Sequence, residues 1–140
     1  MQPIVLVTGG SRGIGAATAL LAAQAGYAVA VNYRANSLAA DEVVRQIRAI
    51  NGTAITVQAD VAVESEVLAM FAKVDAKFGP ISALVNSAGI VDVGSRVDTS
   101  CDDAAVDFSY RSQCFRGVTG DNLDDFGQRA FLVAGIDAFR

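Results

Sequence analysis

Up to about residue 99 the chain alternates between two kinds of hydrophobic pattern. Four short runs, Ile4–Val7, Ala28–Asn32, Ala54–Gln58 and Ala83–Asn86, are β-branched or Ala-rich and apolar at both odd and even positions. A strand with one wet face would alternate apolar and polar residues. These runs do not, so they predict strands of a parallel sheet covered on both faces. Helical periodicity falls between them. Ser37 to Ile50 places Ala40, Val44 and Ile47 on one face, with Asp41, Glu42, Arg45 and Arg48 pointing elsewhere. Glu64 to Phe78 carries Val67, Phe71, Val74 and Phe78 as an amphipathic stripe. The Ala-rich segment Ala16 to Ala25 reads as a third, buried helix. Gly26, Gly52 and Gly79 stand where helix C-termini are expected. Strands alternating with helices imply βαβ units with right-handed crossovers, and so an α/β, doubly wound parallel sheet.

Composition narrows the function classes. At 140 residues the chain is long enough for one real core, and 52% hydrophobic with 19% charged residues argues against wholesale disorder. Net charge is −4 with no basic stripe, which argues against a nucleic-acid surface. The absence of His removes the commonest metal ligand and general base, and no metal site is expected. The apolar stretch from Ala16 to Val31 is interrupted by Thr18, Gln24 and Gly26, so it reads as helix plus strand rather than a membrane span. No basic leader precedes it, and Cys101 and Cys114 form no C-x-x-C pair. A cytoplasmic protein with free thiols is the expectation.

Thr8-Gly9-Gly10-Ser11-Arg12-Gly13-Ile14-Gly15 follows the first strand and opens the Ala-rich helix. Strand, glycine turn and helix form the setting in which a dinucleotide's phosphates can reach backbone N–H groups. Gly9 can take turn dihedrals that a side chain forbids. Gly13 removes a side chain where a pyrophosphate would come closest, Gly15 lets the helix lie tight on the first strand, and the N–H groups near Ile14 face the anion. The spacing is G-x-x-x-G-x-G. It resembles the T-G-x-x-x-G-x-G signature of the short-chain dehydrogenase/reductase family. Asp60-Val61, after the third strand, resembles that family's D-V pair, which contacts adenine. Asn86-Ser87-Ala88-Gly89, after the fourth strand, resembles its N-N-A-G, with Ser in the second Asn position. The resemblance covers residues 1 to about 99 and implies a Rossmann-like dinucleotide-binding half-domain with an incomplete second half. The implied cofactor-binding residues are Gly9, Ser11, Arg12, Gly13, Ile14, Arg34, Asp60, Val61, Asn86, Ala88 and Gly89.

The second strand ends Val31-Asn32-Tyr33-Arg34, without the acid that an NAD site usually offers to the ribose 2′-OH. Arg12 and Arg34 could instead flank a 2′-phosphate, since a guanidinium fork donates two parallel bonds to phosphate. NADP is therefore favoured over NAD.

The family's catalytic groups do not carry over. The resemblance implies a Ser and a Tyr-x-x-x-Lys, in which the cation lowers the phenol pKa. Four residues beyond Tyr27, Tyr33 and Tyr110 lie Val31, Ser37 and Cys114, and the only lysines are Lys73 and Lys77. No catalytic residue is assigned, and a chain without hydride transfer of its own is expected.

From residue 100 onward the composition shifts. The stretch holds seven Asp and no Glu, four Arg and no Lys, and five of the seven Phe. It reads as a separate tail, 100–140, with Phe131 to Ile136 a strand or a short helix. Codons for Tyr110-Arg111-Ser112-Gln113-Cys114-Phe115-Arg116, shifted forward by one base, permit Ile-Glu-Val-Asn-Val-Phe-Gly, which looks like the missing family segment. A truncated or frame-shifted continuation is one expectation, and a divergent tail covering the exposed sheet edge is the other. With the fourth strand's edge open, marginal stability or self-association would follow. Two rival readings stand beside the nucleotide-binding half. One is an oxidoreductase using Tyr110 or an Asp of the tail. The other is a regulatory module pairing with full-length relatives.

Overall fold

The computed structural model describes residues 1–88 and the backbone of the strand Phe131–Ala134. The elements run β1 (Ile4–Thr8), α1 (Gly13–Gln24), β2 (Ala28–Tyr33), α2 (Ser37–Ala49), β3 (Ala54–Gln58), α3 (Glu64–Phe78), β4 (Ala83–Asn86) and β5 (Phe131–Ala134). The sheet order is β3-β2-β1-β4-β5, with every pair parallel. The four predicted strands and three helices are all present, each within a few residues of its expected ends.

Side-chain parity divides the core in two. From β1 and β2, Ile4, Leu6, Ala28 and Ala30 point to one face, where α3 covers them through Val67, Met70 and Val74. Val5, Val7, Val29 and Val31 point to the other, beneath α1 and α2 through Ala19, Ala23, Ala40, Val44 and Ile47. Both parities are therefore buried, which is why no alternation is visible in the sequence. Burial of each Val, Leu or Ile contributes about 1.5–3 kcal/mol, so these two layers supply most of the driving force. The helix α1 buries only Gly15, Ala19 and Ala23. These small residues bring its backbone close to β1 and β2.

Two local expectations shift. The stripe on α3 is centred on Val67, Met70 and Val74, while Phe71 and Phe78 are half-buried at its margin. Val67 and Val74 stand as expected, Met70 joins them at full burial, and Phe71 and Phe78 pack against the same cluster. After α2 the left-handed residue is Asn51, at φ 60°, not Gly52. Gly52 is required for space instead: a Cβ there would lie 2.6 Å from Ile47 Cγ2.

The edge of β4 is not open. Ala83, Leu84, Val85 and Asn86 stand in register with Phe131, Leu132, Val133 and Ala134. The expected exposed edge is corrected by this pairing, which sets a strand from within residues 100–140 beside β4. Four apolar residues without flanking periodicity could not distinguish strand from helix, nor name the partner. The remainder of 89–140, including Gly89, Cys101, Tyr110 and Cys114, lies outside the described residues. At the other side of the sheet, β3 is bordered by cations. Arg48 donates from Nη2 to Ala54 O at 3.2 Å, and Lys73 and Lys77 flank the same groove from α3. Asp41 lines the same groove, and charged side chains along an edge oppose its pairing with another chain. No described helix is long and apolar enough to cross a membrane.

The Ser82 N–H bonds Ile4 O at 2.9 Å, so even positions of β4 face β1 and Val85 faces β5. The Val85 amide should therefore exchange slowly with deuterium, at a rate comparable to amides of β1. Exchange as fast as in surface loops would show that β4 is an edge after all.

Candidate nucleotide-binding site

In this topology the chain moves outward from β1 to β2 and β3, then returns to β4 on the far side of β1. Such a reversal leaves a crevice at the carboxyl ends of the strands, where the loops diverge. A cleft of about 770 Å³ lies there, within the range of small-molecule sites. Its walls come from the ends of β1 to β4: Gly9 and Ser11 to Ile14 after β1, Arg34 after β2, Asp60 and Val61 after β3, and Ser87 and Ala88 after β4.

Two buried polar side chains tie these ends together. Thr8 is fully buried and Asn32 nearly so. The Thr8 hydroxyl accepts the N–H groups of Ser87 (3.0 Å) and Ala88 (3.1 Å) and donates to Asn86 Oδ1 (2.9 Å). Its single proton and both lone pairs are used. Asn32 spans the other direction. Its Nδ2 donates to Val57 O (3.2 Å) and Ala59 O (3.1 Å), and its Oδ1 accepts the Gly9 N–H (3.2 Å). The Asn32 carbonyl also accepts the Gly10 N–H at 2.8 Å.

The glycine turn fits tightly into this frame. Gly9 sits at φ 62°, and a Cβ there would lie 2.8 Å from Ala88 Cα. A Cβ on Gly15 would collide with the carbonyl of Gly9. At Gly13, φ 55°, the space beyond is open, so here it is the backbone conformation that favours glycine. Arg12 occupies the N-cap of α1 without a side-chain cap, and the first bond back to it comes from the Ala16 N–H. The N–H groups of Gly13, Ile14 and Gly15 thus open the helix toward the cleft, a favourable setting for an anion.

On the opposite wall, Arg34 Nε faces Asp60 Oδ2 at 3.1 Å. The Arg34 side chain is 65% exposed and that of Asp60 26%. Asp60 is held by its own turn: Oδ1 accepts the Ala62 N–H (2.9 Å), and its N–H donates to Glu66 Oε2 (2.6 Å). Among the described residues no cluster of three or more His, Cys, Asp or Glu could hold a metal.

Of the site residues expected from sequence, Gly9, Ser11, Arg12, Gly13, Ile14, Arg34, Asp60, Val61 and Ala88 line the cleft. Asn86 stands behind it, bonded to Thr8, and Gly89 lies outside the described residues. Ser87 lines the cleft as well, and Thr8 and Asn32, absent from the expected set, hold its loops together. The available signal was a polar residue closing each of two otherwise apolar strand runs, where burial demands a partner.

Thr8→Val keeps the shape but leaves the Ser87 and Ala88 N–H groups unpaired. It should cost about 1–3 kcal/mol in urea unfolding, while Thr8→Ser, which keeps the hydroxyl, should cost less. A Val variant as stable as the Ser variant would contradict the assigned role.

The short chain dehydrogenase family model matches residues 3–111. An uncharacterized oxidoreductase of Escherichia coli, YgfF, is 57% identical over 88 residues, covering 63% of this chain and 36% of its own. A 3-oxoacyl-(acyl-carrier-protein) reductase of Synechocystis is 53% identical over 87 residues, covering 62% of this chain and 35% of its own. This chain thus spans about a third of the length of the curated relatives it matches. Among solved structures, a Serratia marcescens short-chain dehydrogenase/reductase double mutant superposes with a TM-score of 0.74 at 24% identity, over 94% of this chain and 54% of that one. The promiscuous keto-reductase LugOII superposes with a TM-score of 0.70 at 28% identity, over 94% and 57%. With the family model matching well over half of its residues, the chain belongs to the short-chain dehydrogenase/reductase family.

Proposed function

We propose that this chain is an NADP(H)-binding half of a short-chain dehydrogenase/reductase and has no hydride transfer of its own. The observation that carries the reading is the placement of Arg34. It stands at the mouth of the cleft just after β2, where an acid would favour the unphosphorylated ribose. The residues present fit a dinucleotide. The open N–H groups at the start of α1 would meet the pyrophosphate, Asp60 and Val61 would border the adenine, and the Arg34 and Arg12 side chains would flank the 2′-phosphate. Ser87 and Ala88 would lie on the nicotinamide side, held there by Thr8.

A bound nicotinamide cofactor supplies the hydride that the family exchanges between carbonyl and alcohol substrates. What this chain supplies is the cradle. A proton donor on the substrate oxygen is the other requirement. The sequence has no Tyr followed four residues later by Lys, so the phenol-cation pair that meets it in the family is missing. The Synechocystis relative's name marks it as a reductase of acyl-carrier-protein-bound 3-oxoacyl groups. For this chain a carbonyl substrate of that broad class is proposed only in conjunction with a catalytic half that carries such a pair.

Titration calorimetry with NADPH and NADH on wild type and Arg34→Asp tests the assignment. Wild type should bind NADPH more tightly, and the substitution should weaken NADPH by at least about tenfold, the size of a lost charge-assisted contact, with little effect on NADH. Equal losses for the two cofactors would overturn the NADP preference.

A further inference from the structure

We infer that Asp60 is a positioning residue for cofactor choice: it aims the Arg34 guanidinium at the 2′-phosphate position, in addition to bordering the adenine. The inference rests on the NADP(H) reading above.

An arginine as exposed as Arg34 loses considerable rotamer freedom when it is fixed on a ligand. Here one ion pair already restrains it in part. Gln58 Nε2 donates to Arg34 O at 3.0 Å, fixing the backbone from β3, and Asp60 Oδ2 lies 3.1 Å from Nε as an ion pair from the same strand end. The Asp60 backbone N–H is bonded to Glu66 and its carboxylate accepts the Ala62 N–H, so the carboxylate is restrained by its own turn. The ion pair makes its contact at Nε, whereas the end-on fork that suits a phosphate is formed by the two terminal Nη groups. A carboxylate beside an arginine could act in the opposite sense, by competing with the phosphate for its charge. The geometry favours aiming, because the contact is on Nε and the anchor's other oxygen is already committed.

Asp60→Asn separates the two. Its amide oxygen still accepts the Ala62 N–H, so the turn is kept, while the charge that holds Arg34 is lost. Adenosine 2′,5′-bisphosphate and 5′-AMP serve as probes, because both carry adenine and only one carries the 2′-phosphate. Any change in adenine contact cancels in the ratio of their affinities. In the full chain, Asp60→Asn should reduce the wild-type preference for the bisphosphate by about threefold to fivefold, as expected of a partly exposed ion pair. In an Arg34→Ala background the same change should leave the ratio unmoved. An unchanged or increased preference in Asp60→Asn overturns the inference while the NADP(H) reading stands. Wild type binding the two probes equally, or neither, removes that reading and this inference with it.

Discussion

The cleft depends on two buried polar side chains whose every hydrogen-bonding group is used. Thr8 joins the end of β1 to the loop after β4, and Asn32 joins the end of β2 to the end of β3 and to the glycine turn. In a low-dielectric interior an unpaired N–H or C=O costs more than a paired one returns. The loops are therefore held in the one arrangement that leaves none of these groups unpaired. The glycines follow from that arrangement. Gly9 passes so close to Ala88 because Thr8 draws the Ala88 N–H toward β1. Gly15 packs on the carbonyl of Gly9 because Asn32 fixes the Gly9 N–H from the other side.

The hydrophobic layers and this polar seam do different work. The layers on either side of the sheet bury 24 apolar side chains among the described residues, and the 17 that are Val, Leu, Ile or Met each contribute about 1.5–3 kcal/mol, so these layers determine that the sheet forms. A typical hydrogen bond nets only about 1 kcal/mol, so the seam adds little to overall stability. It instead sets where the strand ends stand relative to one another. A binding site needs that precision more than it needs further stability, since ligand groups must meet fixed partners.

Periodicity made the sheet legible because both-face burial leaves a mark at each strand: Ile4–Val7 and Ala28–Val31 have no polar interruption. The glycine turn was legible because its spacing and its strand and helix context agree. What was not legible depends on contacts distant in sequence. Nothing local to Asn32 indicates that Val57, Ala59 and Gly9 are its partners, and nothing local to Thr8 points to residues 87 and 88. Arg34 and Asp60 could each be placed beside a nucleotide from the strand they follow, but their pairing required β2 and β3 to be neighbours in space. The strand Phe131–Ala134 is the extreme case, since four apolar residues carry neither a period nor an address. At Asn51 backbone geometry overrode a reasonable local choice by one position.

The central claim is that the cleft at the strand ends, and not another surface, receives a nicotinamide dinucleotide. Amide chemical-shift mapping during an NADPH titration tests it most directly. The account predicts saturable shifts concentrated at Gly13, Ile14, Gly15, Arg34, Asp60, Val61 and Ala88, with the groove between Arg48 and Lys77 unaffected. Shifts confined to that groove, or none at saturating NADPH, would contradict it.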